Sequence, residues 1–372
     1  MTRRKPGRFW RNCFLAAIAG LSALASDFDL QLPKGFPRPS IPADNPMTAE
    51  KVELGRHLFY DPRLSVNATQ SCASCHRQEL AFTDGRAQGV GATDEKHPRG
   101  AMSLVNVAFV PTLTWAHPKM LRLEDQALVP MFGTEPIELG LKQPGERLLM
   151  ELSADRKYQR LFPAAFPGVA EPLTLDNVTK ALASFERSII SMRSPYDRYH
   201  YERQDDAISA SAQRGEILFF SSEKAGCFQC HGGWNFSGSI RYEGGPETHS
   251  DFQNTGLYNL PGLMSYPPPN TGLHQHTGDP KDIGKFRVPS LRNIAVTAPY
   301  MHDGSIATLD EVIDHYAAGG RASGNPNKSS TVRAFRLTPE ERADLIEFLK
   351  SLTDEELLKD PRWSSPWRRR SP

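Results

Sequence analysis

"GCFQCHGG", residues 226–233, sets two cysteines three apart, follows the second directly with a histidine, and then runs into glycine. "SCASCHRQ", residues 71–78, repeats the arrangement. On a turn of helix, two thiols at this spacing reach the two vinyl groups of one haem and form thioethers, while the next residue offers its imidazole to the iron. Cys72 and Cys75 are therefore one candidate attachment pair and Cys227 and Cys230 the other, with His76 and His231 as proximal ligands. Three other uses of such cysteines compete. A thioredoxin-like pair has no need of the trailing histidine, and no βαβ pattern surrounds either copy. A zinc site made from both pairs would leave both histidines idle. Two small disulfide loops would be strained. The expectation is two covalently bound c-type haems.

The duplication reaches beyond the cysteines. "ELGRHLFYD" (53–61) precedes the first motif and "QRGEILFFS" (213–221) the second, sharing Gly55, Leu58, Phe59 and Tyr60 with Gly215, Leu218, Phe219 and Phe220. Each reads as an amphipathic helix leading into its haem site. Each half also closes with a helix. "TLDNVTKALASFERSII" (174–190) puts Leu175, Val178, Leu182, Phe185 and Ile189 on one face. "LTPEERADLIEFLKSLT" (337–353) begins with Thr338 as N-cap, Pro339 in first position and Glu341 completing a capping box, ahead of Leu345, Ile346, Leu349 and Leu352. The predicted fold is mainly α, two cytochrome c-like domains joined by long ordered loops. The boundaries read as a signal peptide at 1–25, an N-terminal domain at 26–200, a C-terminal domain at 201–355 and a disordered basic tail at 356–372. The seam falls in the polar stretch "SPYDRYHYERQDDAISASAQ" (194–213), and 240–290 reads as an ordered loop region suited to binding.

The chain has 372 residues, with 44 Lys and Arg against 43 Asp and Glu, so no concentrated basic face suggests nucleic acid. The tail "WRRRSP" reads as a solvated end. At the other end, basic "MTRRKPGRFWRN" precedes apolar "CFLAAIAGLSALA", with small residues at Ala23 and Ala25. That is a secretory signal peptide cleaved near Ala25, an uncleaved anchor being the alternative. Cys13 leaves with it, and the remaining four of five cysteines all belong to the two motifs. The mature protein is expected in the periplasm, with no membrane span.

A haem iron with one histidine has a sixth position, and the histidines, methionines and tyrosines leave many candidates for it. Here "KFRVPSLRNIAVTAPYMHDGSIATLDEVIDHYAAGG" (285–320) resembles the C-terminal signature of bacterial dihaem cytochrome c peroxidases and MauG-type enzymes. In the peroxidases a methionine ligates the electron-transfer haem fourteen residues after the His of H-D-G; MauG-type enzymes have a tyrosine. This chain has Tyr316. The resemblance thus implies a His231/Tyr316 haem, and a phenolate donor favours oxidised over ferrous iron. It implies that the His76 haem has an open distal side where peroxide binds. The stretch 102–140 resembles the family's lining of that site: Trp115 matches the tryptophan between the two haems, Glu138 the distal glutamate, and Gln126 and Pro130 pocket-lining positions. A carboxylate at Glu138 would take a proton from hydrogen peroxide and return it to the departing oxygen. Read without the family, Trp115 is a core aromatic, Glu138 a surface charge and Tyr316 a packing aromatic.

Within the superfamily, "GCFQCHGGWNFS" and "FQNTGLYNLPG" resemble MbnH-type enzymes, which act on a small exported copper-binding partner of MbnP type and convert one of its tryptophans to kynurenine. The family's calcium between domains would involve the carbonyls of Thr297 and Pro299, but its asparagine position falls at Gly100, which weakens that expectation. MauG's exit tryptophan corresponds to Ala225; Trp234 reads either as a substitute or as a residue packing against the haem, and His302 and Asp303 are expected to orient their loop by hydrogen bonds. Three functions follow from the resemblance: peroxide-driven oxidation of a partner protein at long range, a peroxidase drawing on a small redox-protein donor, or a dihaem electron carrier without catalysis. Tyr316 argues against the second and Glu138 against the third.

Overall fold

The computed structural model describes residues 28–245, 251–260, 266–322 and 324–367; the expected signal peptide lies outside them. In chain order the helices are α1 (Ala49–Phe59), α2 (Cys72–Cys75), α3 (Leu123–Phe132), α4 (Glu146–Ser153), α5 (Arg156–Ala165), α6 (Leu175–Arg187), α7 (Pro195–Tyr201), α8 (Ala210–Phe220), α9 (Phe228–His231), α10 (His274–Thr277), α11 (Leu309–Ala317) and α12 (Pro339–Ser351). Two short strands, β1 (Phe252–Gln253) and β2 (Phe286–Arg287), pair antiparallel with Phe252 opposite Arg287. Among the described residues no helix is long and apolar enough to cross a membrane.

Polar caps start the long helices. Thr48, Thr174 and Ser209 each accept a hydrogen bond from the amide three residues on, opening α1, α6 and α8. Thr338 and Glu341 form the expected capping box of α12, and Thr308 and Glu311 form another at α11. In each half, the helix before the haem motif lies on the closing helix: α1 on α6 and α8 on α12. A glycine permits both close approaches. A Cβ at Gly55 would stand 1.9 Å from the Ala181 carbonyl oxygen, and one at Gly215 would stand 1.9 Å from that of Asp344. The phenyl rings repeat as well: Phe59 meets Phe185 at 5.0 Å and 54°, Phe219 meets Phe348 at 5.0 Å and 53°. Leu54, Leu58, Val178 and Leu182 complete the first core; Phe236, Leu345 and Leu352 complete the second.

The structure corrects the sequence reading in two places. The chain from 356 to 367 is not a disordered tail: Leu357 and Trp363 are buried in the core of the first half, with Leu358 and Trp367 packed against it. Trp363 donates its indole N–H to the Ser188 carbonyl at 3.0 Å, and its own carbonyl accepts the Tyr60 hydroxyl at 2.7 Å. The apolar surface of two tryptophans and two leucines outweighs the solvation of the neighbouring charges. The polar seam likewise begins with a helix. Ser194 and Asp197 form a capping box around Pro195, and Tyr196 packs on Phe236 and Phe348 of the second core. A boundary at 200 therefore cuts through α7, whose anchor already belongs to the second half.

Candidate haem sites

The N-terminal motif sits on α2, which Ser71 and Ser74 cap reciprocally. His76 leaves the end of that turn, and its Nδ1 lies 2.8 Å from the Phe82 carbonyl oxygen. A carbonyl only accepts, so Nδ1 carries the proton and Nε2 keeps the lone pair a metal needs. In the second motif, His231 Nδ1 lies 3.2 Å from the Phe236 carbonyl and 3.1 Å from that of Pro289, which fixes the same tautomer. Burial lowers the pKa of both imidazoles and so favours the neutral form that ligates iron. No disulfide joins the four motif cysteines, and burial pushes Cys75 up to about 11 and Cys227 to about 12. Among the described residues no group of three or more His, Cys, Asp or Glu is arranged to hold a metal ion, so the shared zinc site is absent there.

Glu138 follows α3 in the chain, and α3 carries Gln126 and Pro130 one turn apart. The Pro130 carbonyl accepts the Leu139 amide at 2.8 Å, and the Glu138 carbonyl accepts the Ala92 amide at 2.6 Å, which ties the glutamate to the helix. The Glu138 side chain keeps 39% of its surface accessible, yet burial pushes its carboxyl up to about 7. Its charge adds a small upward push to the thiols of both Cys72 and Cys75, so the carboxyl lies within electrostatic range of the first motif.

The second site opens on a cavity of about 290 Å³. Cys227, Cys230, His231 and Tyr316 share its walls with Trp115, which arrives from the first half of the chain. The Trp115 indole donates to the Gly100 carbonyl at 2.9 Å, and its own carbonyl accepts the Arg287 amide at 2.8 Å, so the ring is pinned between the halves. Desolvation is the main cause that raises the pKa of the Tyr316 phenol, and Cys230 and Cys227 add to it. Burial therefore keeps the phenol protonated until a cation faces it. Thr297, Pro299 and Gly100 line the same cavity, but Gly100 brings no side-chain oxygen, so the residues do not fit the family's calcium site.

Arg287 was not singled out in the sequence. It is 6% exposed and lines this cavity, and its guanidinium donates to the Thr114 carbonyl. A buried cation lacking a carboxylate suits the anionic propionates of a haem. A charge flanked by the apolar Phe286 and Val288 was the available signal. Trp234 is elsewhere: it packs edge-on to Phe109 at 4.7 Å, under Phe36 and Arg292, outside the cavity's lining. Asp303 accepts the Ser305 amide at 3.1 Å and so orders its loop, while the His302 ring stacks on Phe286.

The family description "Di-haem cytochrome c peroxidase" matches residues 49–206, and "Cytochrome c" matches 212–353. Cytochrome-c peroxidase IdrP1 of Denitromonas iodatirespirans is 36% identical, covering 92% of each chain. Methylamine utilization protein MauG of Methylorubrum extorquens is 35% identical, over 91% of this chain and 87% of that one. The chain belongs to the dihaem cytochrome c peroxidase and MauG family. A crystal structure of a MauG-like protein associated with microbial copper homeostasis superposes with a TM-score of 0.88 at 47% identity, covering 92% of this chain and all of that one. The fold is accordingly two cytochrome c-like domains, and the protein is a haem-dependent peroxidase-type oxidoreductase with two haem sites.

Proposed function

We propose that this dihaem enzyme works in the periplasm, reacts with hydrogen peroxide at the His76 site, and oxidises a partner protein from the His231/Tyr316 site. The partner is a small exported copper-binding protein of MbnP type, and the change is conversion of one of its tryptophans to kynurenine. The observation that carries this reading is Tyr316 on the wall of the same cavity as His231, where a peroxidase would present methionine. The relative linked to copper homeostasis supports the choice of partner.

Haem iron supplies the redox chemistry that cleaves the O–O bond; the chain's residues prepare that step. Glu138, with its carboxyl near neutrality, accepts a proton from hydrogen peroxide and hands it to the oxygen that leaves as water. Gln126 and Pro130, on one side of α3, shape the space beside it. His76 and His231 would hold the iron through Nε2, since their Nδ1 protons are committed to backbone carbonyls. Trp115 gives electrons a π system between the halves, with its indole proton retained by Gly100. Tyr316 offers a hard oxygen donor whose charge makes the second site hard to reduce. Calcium has no part in this scheme.

Electron paramagnetic resonance and optical spectra of the ferric holoprotein test the proposal, before and after one equivalent of peroxide. One high-spin and one low-spin haem, with a long-wavelength band after peroxide, are expected. Two low-spin haems inert to peroxide would overturn it. Tyr316→Met should alter the low-spin signal, and an unchanged spectrum removes Tyr316 as a ligand. Mass spectrometry of a copper-binding partner incubated with enzyme and peroxide reads the tryptophan conversion directly.

A further inference from the structure

A run of aromatic rings leads from the cavity wall to the protein surface. Phe286 and His302 line the cavity and stack with centroids 3.7 Å apart at 13°. Each lies 5.9 Å from Tyr266, which is 1% exposed. Tyr266 lies 5.4 Å from Tyr258, a half-buried residue followed by exposed Asn259 and Leu260.

The two tyrosines differ in what receives the phenolic proton. A phenol that loses one electron becomes a very strong acid, so it is readily oxidised only where a base stands in hydrogen-bond contact. Tyr266 donates to the Asn254 amide oxygen at 2.9 Å and accepts from the Leu257 amide at 3.1 Å. An amide oxygen is too weak a base to keep that proton. Tyr258 donates to Asp303 Oδ2 at 2.6 Å, a charge-assisted bond to a true base. Another short tyrosine–carboxylate pair, Tyr158 with Asp61 at 2.7 Å, lies sealed in the first core, and Arg63 neutralises its carboxylate at 2.6 Å. Of these pairs, the one at the end of the aromatic run also reaches the surface.

We propose that Tyr258 is the exit residue through which oxidising equivalents reach the partner, with Asp303 as its proton acceptor. The inference rests on the peroxide-driven reading above. Tyr258 gives up one electron, which moves inward by way of Tyr266, and its phenolic proton passes to Asp303, leaving a neutral tyrosyl radical beside a carboxylic acid. Two electrons delivered in this way, with two protons drawn from solvent, reduce one hydrogen peroxide to two waters, and the oxidised partner releases two protons to solvent in balance. An electron-rich aromatic side chain of the partner then returns an electron to the radical, and Asp303 returns the proton, restoring the phenol. This assigns the exit that neither Ala225, which has no oxidisable ring, nor Trp234, whose indole nitrogen is buried without a hydrogen-bond acceptor, provides.

The test mixes the dihaem holoenzyme with hydrogen peroxide in the absence of partner, freeze-quenches it and records electron paramagnetic resonance. Wild type should show a tyrosyl radical and Tyr258→Phe should lose it. Asp303→Asn should lower its yield by about tenfold or more, since a hydrogen bond to a charged group contributes about 1.5–3 kcal/mol. Asp303→Glu should recover it. The same radical in Tyr258→Phe, or an undiminished yield in Asp303→Asn, overturns the inference. Should Tyr258→Phe fail to fold, wild-type enzyme treated with peroxide and a nitroso spin trap is digested instead: an adduct on Tyr258 is expected, and adducts only elsewhere overturn the proposal. The optical response of the wild-type haems to peroxide is read in parallel. A response without a Tyr258 radical defeats this inference alone, while no response defeats the parent reading with it.

Discussion

The pair α1 with α6 and the pair α8 with α12 are one construction made twice, down to a glycine backed onto a carbonyl and a phenyl pair 5.0 Å apart. Both carry a C-x-x-C-H turn whose histidine Nδ1 is held by backbone carbonyls. The halves part company in the residues around that histidine. In the first, a carboxyl with a pKa near 7 lies within electrostatic range of the motif; in the second, a half-buried phenol and a buried arginine line the cavity. These residues come from the 102–140 and 285–320 stretches, not from the repeated helices. A duplicated scaffold thus fixes where each C-x-x-C-H motif stands and leaves unduplicated segments free to vary what surrounds it.

That comparison can be broken experimentally. The largest effect is expected from Cys227→Ala with Cys230→Ala: mass analysis should find one covalent porphyrin in place of two, and the His76 haem should persist. Loss of both would mean that the halves do not assemble independently. Glu138→Gln should slow the reaction with peroxide by about 10²–10⁴-fold while leaving the second site's spectrum alone. Because the working form of Glu138 is the carboxylate, the wild-type rate should rise as pH climbs through about 7; a flat profile removes it as the base. A chain ending at Glu355 loses Trp363 and Leu357 from the first core, and denaturant titration should show a loss of about 3–5 kcal/mol, as for truncating a large buried aromatic. Only the first half should weaken. Finally, Gly55→Ala and Gly215→Ala should each cost about 1–3 kcal/mol through overpacking; unequal costs would show that the repeats have diverged in their cores.

Much of this was legible in the residues. Caps such as Thr338 with Glu341 act within one turn, and apolar spacing in α6 needs no partner to be read. The C-x-x-C-H turns are equally local. The tail was misread because its arginines were weighed and its tryptophans were not, and what decides their fate is the distant groove beside Ser188 and Tyr60. Tyr258 and Asp303 lie 45 positions apart in the chain, and nothing near either one announces a partner.

The sequence by itself determined where the two C-x-x-C-H motifs stand, which residues cap the helices around them, and that a tyrosine stands fourteen residues after the His of H-D-G. Only the tertiary structure decided that Trp115 from the first half lines the second half's cavity, that Arg287 is buried there, and that a tyrosine at the surface meets a carboxylate. The reason is range. Thioether spacing and helix caps act between residues a turn apart, whereas burial and proton acceptance depend on which distant segments the folded chain brings together.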